Sequence, residues 1–278
     1  MMATFFGEVL PIFSRAVVDD EDEDVPVREV FIVRETAEEA TYDQPNFDCQ
    51  LLVVAVGPSA STFVEAYILS RPLLPVASVQ VRGSDKDDTD DQLSGLKFRK
   101  QSITLGHFYH THLQDKVLCC IVPEKLLPEQ STALGEKIFS CVNRTCFTKP
   151  VVVILTSLHM CEYKTQKNFD EHQNIILRAL NSSTYTVGRL NQPYLEQPNT
   201  ISGLAAAVLS ECEVREIPGV LFVCYTDMLD SDPSHVQAFI PLLEQHPLKS
   251  FVIPNEEAEA NLKNLLMQRT RDWGNLYM

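Results

Sequence analysis

"LLVVAVGP", residues 51–58, is apolar at every position from Leu51 to Val56 and then stops at a Gly-Pro pair. A strand with one wet face alternates apolar and polar side chains. A run that is apolar throughout reads as a strand buried on both faces of a sheet. Just beyond it, "STFVEAYILS" (61–70) brings Phe63, Ala66, Tyr67 and Ser70 to one side at helical spacing. The same strand character recurs in "REVFIVR" (28–34), "VASVQV" (76–81), "SITLGHFY" (102–109), "VLCCIV" (117–122), "VVVILT" (151–156) and "VLFVCYT" (220–226).

Helical patterns are expected at roughly 130–142, 169–180, 203–212, 234–245 and 255–270. In the last, Asn255 can cap, Glu256 and Glu257 fill the first turn, Arg269 and Arg271 lie near the end, and Gly274 follows. Apolar strands alternating with helices predict an α/β fold: a single-domain three-layer sandwich around a mixed, mostly parallel sheet.

Two acidic stretches interrupt this pattern. "DDEDED" (Asp19–Asp24) predicts a flexible acidic part of an N-terminal segment, 1–26, and "GSDKDDTDDQLSG" (83–95) a long acidic loop. The α/β domain is expected over 27–273 and a separate tail over 274–278, with Gly274 and Asn275 as a short hinge.

With 278 residues, 45% of them hydrophobic, the chain can bury a substantial core. A net charge of −15 argues against nucleic acid, whose phosphates are bound by Lys and Arg displacing counterions. Eight cysteines without a CxxC, several inside apolar runs, predict a reducing compartment. The start "MMATFFGEVLPIFSR" lacks a basic n-region, and Glu8 and Pro11 break its apolar stretch, so it is not read as a signal peptide. No apolar run reaches membrane-spanning length, and no membrane insertion is expected.

Three candidate strands end in polar residues. Ser59, Ser61, Thr156, Ser157, His159, Tyr225, Thr226 and Asp227 could therefore line one crevice at the strands' carboxyl ends. An enzyme would recruit Ser59 or Ser61 as nucleophile, His159 as base and Asp227 as orienter. The elbow G-x-S-x-G is not met, because Ser61 stands where the second glycine belongs. The plain alternative is that strand ends are polar because loops face water and helices need caps. "HFYHTH" groups His107, His110 and His112, and with Cys119 or Cys120 on a neighbouring strand a zinc site is conceivable. The paired spacings of strong sites are missing, so structural histidines are expected. No catalytic residue, cofactor or metal is assigned.

The final residues "NLYM" form another signal. Leu276, Tyr277 and Met278 read as hydrophobic-tyrosine-any followed by a carboxylate. A carboxylate is a charge at a fixed position that a lysine or an N–H nest can capture. The ring adds buried area with few rotamers to freeze.

The tail belongs to an ordered set of segments that resembles the family of proteasome assembly chaperone 1. The others are "MATFFGEV" (2–9), "ILTSLHMCEYKT" (154–165), "LEQPN" (195–199), "AAVLS" (206–210), "IPGVLFVCYTD" (217–227), "AFIPLL" (238–243) and "LKSFV" (248–252). The resemblance implies a chaperone for proteasome core-particle assembly that is not an enzyme. It implies a heterodimer with a related second protein, proteasome assembly chaperone 2, seated on the outer face of the ring of proteasome α-subunits. The pair would promote α-ring formation and discourage ring-on-ring dimers. Leu276, Tyr277 and Met278 match the family's terminal HbYX-type motif, which enters a pocket between neighbouring α-subunits. The fold implied resembles nucleoside-phosphorylase-like enzymes without known catalysis. The location implied is the cytoplasm, with nuclear or endoplasmic-reticulum association also open. Outside the resemblance, a hydrolase or phosphorylase-like enzyme using the strand-end crevice is the competing expectation.

Overall fold

A computed structural model of the chain describes residues 30–34, 46–69, 73–82, 102–111, 114–142, 150–165, 175–228, 232–251 and 255–275. Both acidic stretches, the N-terminal segment, Cys146, His112 and the final three residues lie outside them.

The strands are β1 (Val30–Arg34), β2 (Leu51–Val56), β3 (Pro75–Arg82), β4 (Ser102–Thr111), β5 (Gln114–Val122), β6 (Val151–His159), β7 (Ile175–Asn181) and β8 (Gly219–Thr226). They form one eight-stranded sheet in the order β1-β3-β4-β5-β2-β6-β8-β7. The sheet is mixed. Its four central strands, β5-β2-β6-β8, run parallel, and antiparallel pairing flanks them on both sides.

Strand β2 lies near the middle of this order, with Leu51 opposite Val117 on one side and Val151 on the other. Its first five residues are buried. Alternation sends Leu52 and Val54 to one face and Leu51, Val53 and Ala55 to the other. The first face is covered by α2 (Pro128–Ser140) and α3 (Gly203–Val214) through Leu134, Ile138, Leu204 and Val208. The second is covered by α1 (Pro58–Tyr67) and α5 (Asn255–Asn275) through Phe63, Tyr67, Leu262 and Leu265. Helix, sheet and helix make the three layers. Each fully buried Leu or Val contributes about 1.5–3 kcal/mol, so two such cores account for why this run must be apolar at every position.

Three helix expectations are corrected. Over 169–180 the described part is strand, β7, rather than helix. Only Ile176 and Ala179 of this strand are buried, three residues apart, and that spacing imitates a helix. Over 234–245 the α-helical part is short, α4 (Pro233–Gln237), and a 3₁₀ turn covers Ile240–Glu244. Pro241 has no N–H to give the preceding turn, and its ring clashes with it, so an α-helix cannot run through. Finally, α5 continues past residue 270 to Asn275, so Gly274 and Asn275 are helical and form no hinge. A glycine inside a helix costs about 1 kcal/mol relative to alanine, which weakens a helix without ending it.

Gly106 allows the close approach of β4 to β5. A Cβ there would stand 2.3 Å from the Ile121 carbonyl oxygen, a backbone atom that cannot swing away. Gly106→Ala is expected to lower stability by at least about 1–3 kcal/mol. Urea unfolding of the two proteins, followed by circular dichroism, measures the difference.

Candidate functional site

The carboxyl ends of β2, β5 and β6 meet the start of α3 around a cleft of about 150 Å³. Its walls include Val56, Gly57, Leu126, Thr156, Ser157 and Leu204. The topology explains the opening. β2 feeds α1 on one face, while its parallel neighbour β5 feeds α2 on the other. A crevice forms where adjacent strands send their connections to opposite sides.

The crevice expected from the sequence therefore exists, but the catalytic set does not assemble. Thr156 and Ser157 line it. Ser59 and Ser61 are wholly buried within α1. His159 uses Nδ1 to accept the Cys161 N–H at 3.2 Å. Asp227 is held by another histidine, His235, whose Nε2 lies 2.9 Å from Oδ1. The Thr226 hydroxyl donates to the Met228 carbonyl. Tyr225 packs under Tyr163, with ring centroids 4.8 Å apart. Burial first, and then the nearby Glu162 carboxylate, push the Tyr225 phenol up to about 12. These polar side chains serve as caps, ties and packing rather than as a proton relay.

On β4, His107 stands opposite Ile121 and His110 opposite Leu118, so neither is paired directly with Cys119 or Cys120. The His110 ring meets Phe47 edge-on. Burial pushes both thiols far above their ordinary range, which leaves them as small apolar core groups. The described residues contain no group of three side chains able to hold a metal.

A polar cluster not anticipated from spacing lies along β7. Arg178 Nε donates to Glu196 Oε2 at 2.9 Å, and Nη2 donates to the Tyr163 hydroxyl at 2.8 Å. Tyr163 in turn donates to Glu196. Asn199 continues the tie, accepting the Lys164 N–H at 2.7 Å and donating to the Lys164 carbonyl at 2.8 Å. Leu195 N donates to the Ala179 carbonyl, and Ala179 N to that of Pro193, each at 2.9 Å. The segment 193–199 is thereby laid along β7 and bound to the turn after β6. "MCEYKT" and "LEQPN" were visible as words in the sequence, but nothing in their separation showed that they meet. Burial raises the Glu196 carboxyl, yet the hydrogen bonds from Arg178 and Tyr163 outweigh it and hold the group at about 2.

Toward the chain's last residues, α5 packs along α1 and buries Ala258, Leu262 and Leu265 at helical spacing. Its backbone remains helical to Asn275. Leu276, Tyr277 and Met278 lie outside the described residues.

Comparison with known proteins identifies the class. The family model PAC1, described as proteasome assembly chaperone 4, matches residues 2–278. Full-length relatives carry the name proteasome assembly chaperone 1. The protein of Danio rerio is 35% identical, over 87% of this chain and 89% of its own. That of Mus musculus is 31% identical and that of Homo sapiens 29%, each over 96% of both chains. Among solved structures, Pyrococcus furiosus PbaA, an archaeal homolog of proteasome-assembly chaperone, superposes with a TM-score of 0.52 at 12% identity, covering 87% of this chain and 95% of its own. PbaB of the same organism, an archaeal proteasome activator, gives 0.52 at 12%, covering 88% and 98%. At such identity the structures speak for the fold, and the fold is the one shared by these chaperone-like proteins.

The class is thus that of proteasome assembly chaperones. Within it, the family description and the relatives' names carry different chaperone numbers, and the full-length relatives decide between them: the chain belongs to the proteasome assembly chaperone 1 family.

The Glu196 tie has a pH signature. The folded-state value is depressed below the ordinary 4.5, so its stabilisation is present above that value and is lost as pH falls toward about 2. Glu196→Gln should flatten the decline of the urea midpoint across that window relative to the unmodified protein. Parallel declines in the two proteins would exclude the tie as an acid-sensitive element.

Proposed function

We propose that this protein acts in assembly of the proteasome core particle as one half of a heterodimer with the related proteasome assembly chaperone 2. The pair binds the outer face of the α-ring, promotes closure of the ring and blocks ring-on-ring dimers. Leu276, Tyr277 and Met278 anchor it in a pocket between two α-subunits. The observation that carries this reading is the family match, which extends to residue 278 and so includes the tail.

The mechanism follows from where such an anchor binds. A pocket built by two neighbours exists only when they are side by side, so its occupant stabilises the paired state over free subunits. A ligand shifts an equilibrium by its difference in affinity between the two states, and this is all that chaperoning of a ring requires. The Tyr277 ring supplies buried area, and the Met278 carboxylate pairs with a cation at the pocket's base. A second anchor on the partner chaperone raises the effective concentration of the first. The acidic body, with a net charge of −15, shields basic α-ring surface from wrong contacts. The place of action is the cytoplasm.

Tyr277→Ala, or removal of residues 276–278, is expected to weaken α-ring binding at least tenfold, equivalent to about 1.4 kcal/mol, while the fold and the heterodimer persist. Native gels and pull-down with purified α-subunits measure both. Unchanged α-ring binding by either variant would remove the anchor from the mechanism.

A further inference from the structure

β7 stands at one end of the sheet order, so alternate residues along it turn their N–H and C=O groups away from β8. Its sequence, "IILRALN", is apolar at five of seven positions. An open edge of this composition is a template for another strand like itself. The edge is not open. The Ala179 N–H donates to the Pro193 carbonyl, and the Ala179 carbonyl accepts the Leu195 N–H, each at 2.9 Å. The Leu177 carbonyl accepts from Arg178 Nη1 at 3.1 Å. Residues 193–195 thus occupy the place that a further strand would take.

The way this cover is fastened sets it apart from the sheet beneath. No residue of 193–199 is buried. It is fixed by polar contacts on both sides of Tyr194. Before it, Gln245 accepts the Asn191 N–H at 3.2 Å and donates to Gln192 at 2.6 Å. After it, Glu196 takes Arg178 and Tyr163, and Asn199 takes both backbone groups of Lys164. A segment held by surface hydrogen bonds, with no share of the core, opens at a lower free energy than the strand it covers. The cover is also too short to become an edge of its own. Pro193 and Leu195 turn their bonding groups toward β7, which leaves only Tyr194 between them facing outward.

We infer that residues 193–199 are a removable guard on the sheet edge, which when docked keeps β7 from pairing with β7 of a second copy of this chain. The strand suits such a pairing. Centred on Ala179 about a two-fold axis, the two Ala179 residues exchange the N–H and C=O bonds that Pro193 and Leu195 otherwise take. That register sets Arg178 opposite Leu180 and Leu177 opposite Asn181, so the two arginines do not face each other. The guard does not depend on the tail anchor, and neither variant below touches residues 276–278.

The test uses the full chain with Glu196→Ala, Asn199→Ala and both together. Amide hydrogen exchange at Ala179 should quicken roughly three- to tenfold in each single variant, the effect of lost hydrogen bonds, and by more in the double variant, while β2 amides stay protected. In sedimentation velocity the double variant should dimerise at a lower concentration than the unmodified chain. Asn199 sits on the surface segment rather than in the core, so its variant keeps the fold whatever becomes of the Glu196 variant. Asn181→Pro, added to the double variant, removes an outward N–H at a position where an edge strand tolerates proline, and should reverse the dimerisation. Unchanged Ala179 exchange in the double variant overturns the guard. So does fast exchange without a gain in dimerisation, and so does a dimer indifferent to Asn181→Pro.

Discussion

The fold rests on one strand whose first five residues are buried on both faces and whose two edges are both paired. β2 is hydrogen-bonded to β5 and β6 along its whole length and covered by helices above and below. Every backbone N–H and C=O within it must be satisfied by a neighbouring strand, because water cannot reach it. That requirement fixes the parallel centre of the sheet. Parallel neighbours need crossover connections, and those connections become the helices that cover both faces. Residues Leu51–Val56 thus dictate the layers, and the layers dictate where the strands' carboxyl ends open.

The sequence was legible where burial was complete. β2, β6 and β8 are nearly continuous apolar runs, and β1, β3, β4, β5, α1, α2 and α3 fall close to where their patterns place them. Legibility failed at the rim. β7 is an edge strand whose outer side is engaged by residues 193–195 and by the Arg178–Glu196 pair. Its buried positions follow those neighbours rather than a period of two, so "IILRALN" reads as a helix. α5 fails in the opposite sense. Gly274 looks like a stop, but a stop requires the left-handed turn, and the glycine stays helical.

The candidate site was legible in outline and not in assignment. Sequence alone locates polar residues at strand ends, and the structure does bring Thr156 and Ser157 to a common cleft. It gives no hint that Asp227 prefers His235 eight residues later, or that His159 is occupied by its own turn. The Tyr163–Arg178–Glu196 cluster was invisible for the same reason: its members lie far apart along the chain and meet only because β6, β8 and β7 lie side by side. The cluster ties two of the segments that carry the family resemblance into one surface.

The helical continuation of α5 bears on how a terminal anchor would work. A helix through Asn275 removes two residues, Gly274 and Asn275, from those that a hinge would leave to be ordered on binding. Fixing one residue's backbone costs about 1–2 kcal/mol, so the longer helix spares roughly 2–4 kcal/mol of ordering. That amount is comparable to the whole contribution of a buried tyrosine ring. The same stiffness restricts direction. Packing of Ala258, Leu262 and Leu265 into the core sets the helix axis, and the axis sets where the helix ends at Asn275. An anchor of this kind gains affinity by pre-organisation and loses reach. Under the proposed anchoring, the orientation of the body on the α-ring would be determined by the first turns of α5 rather than by the tail itself.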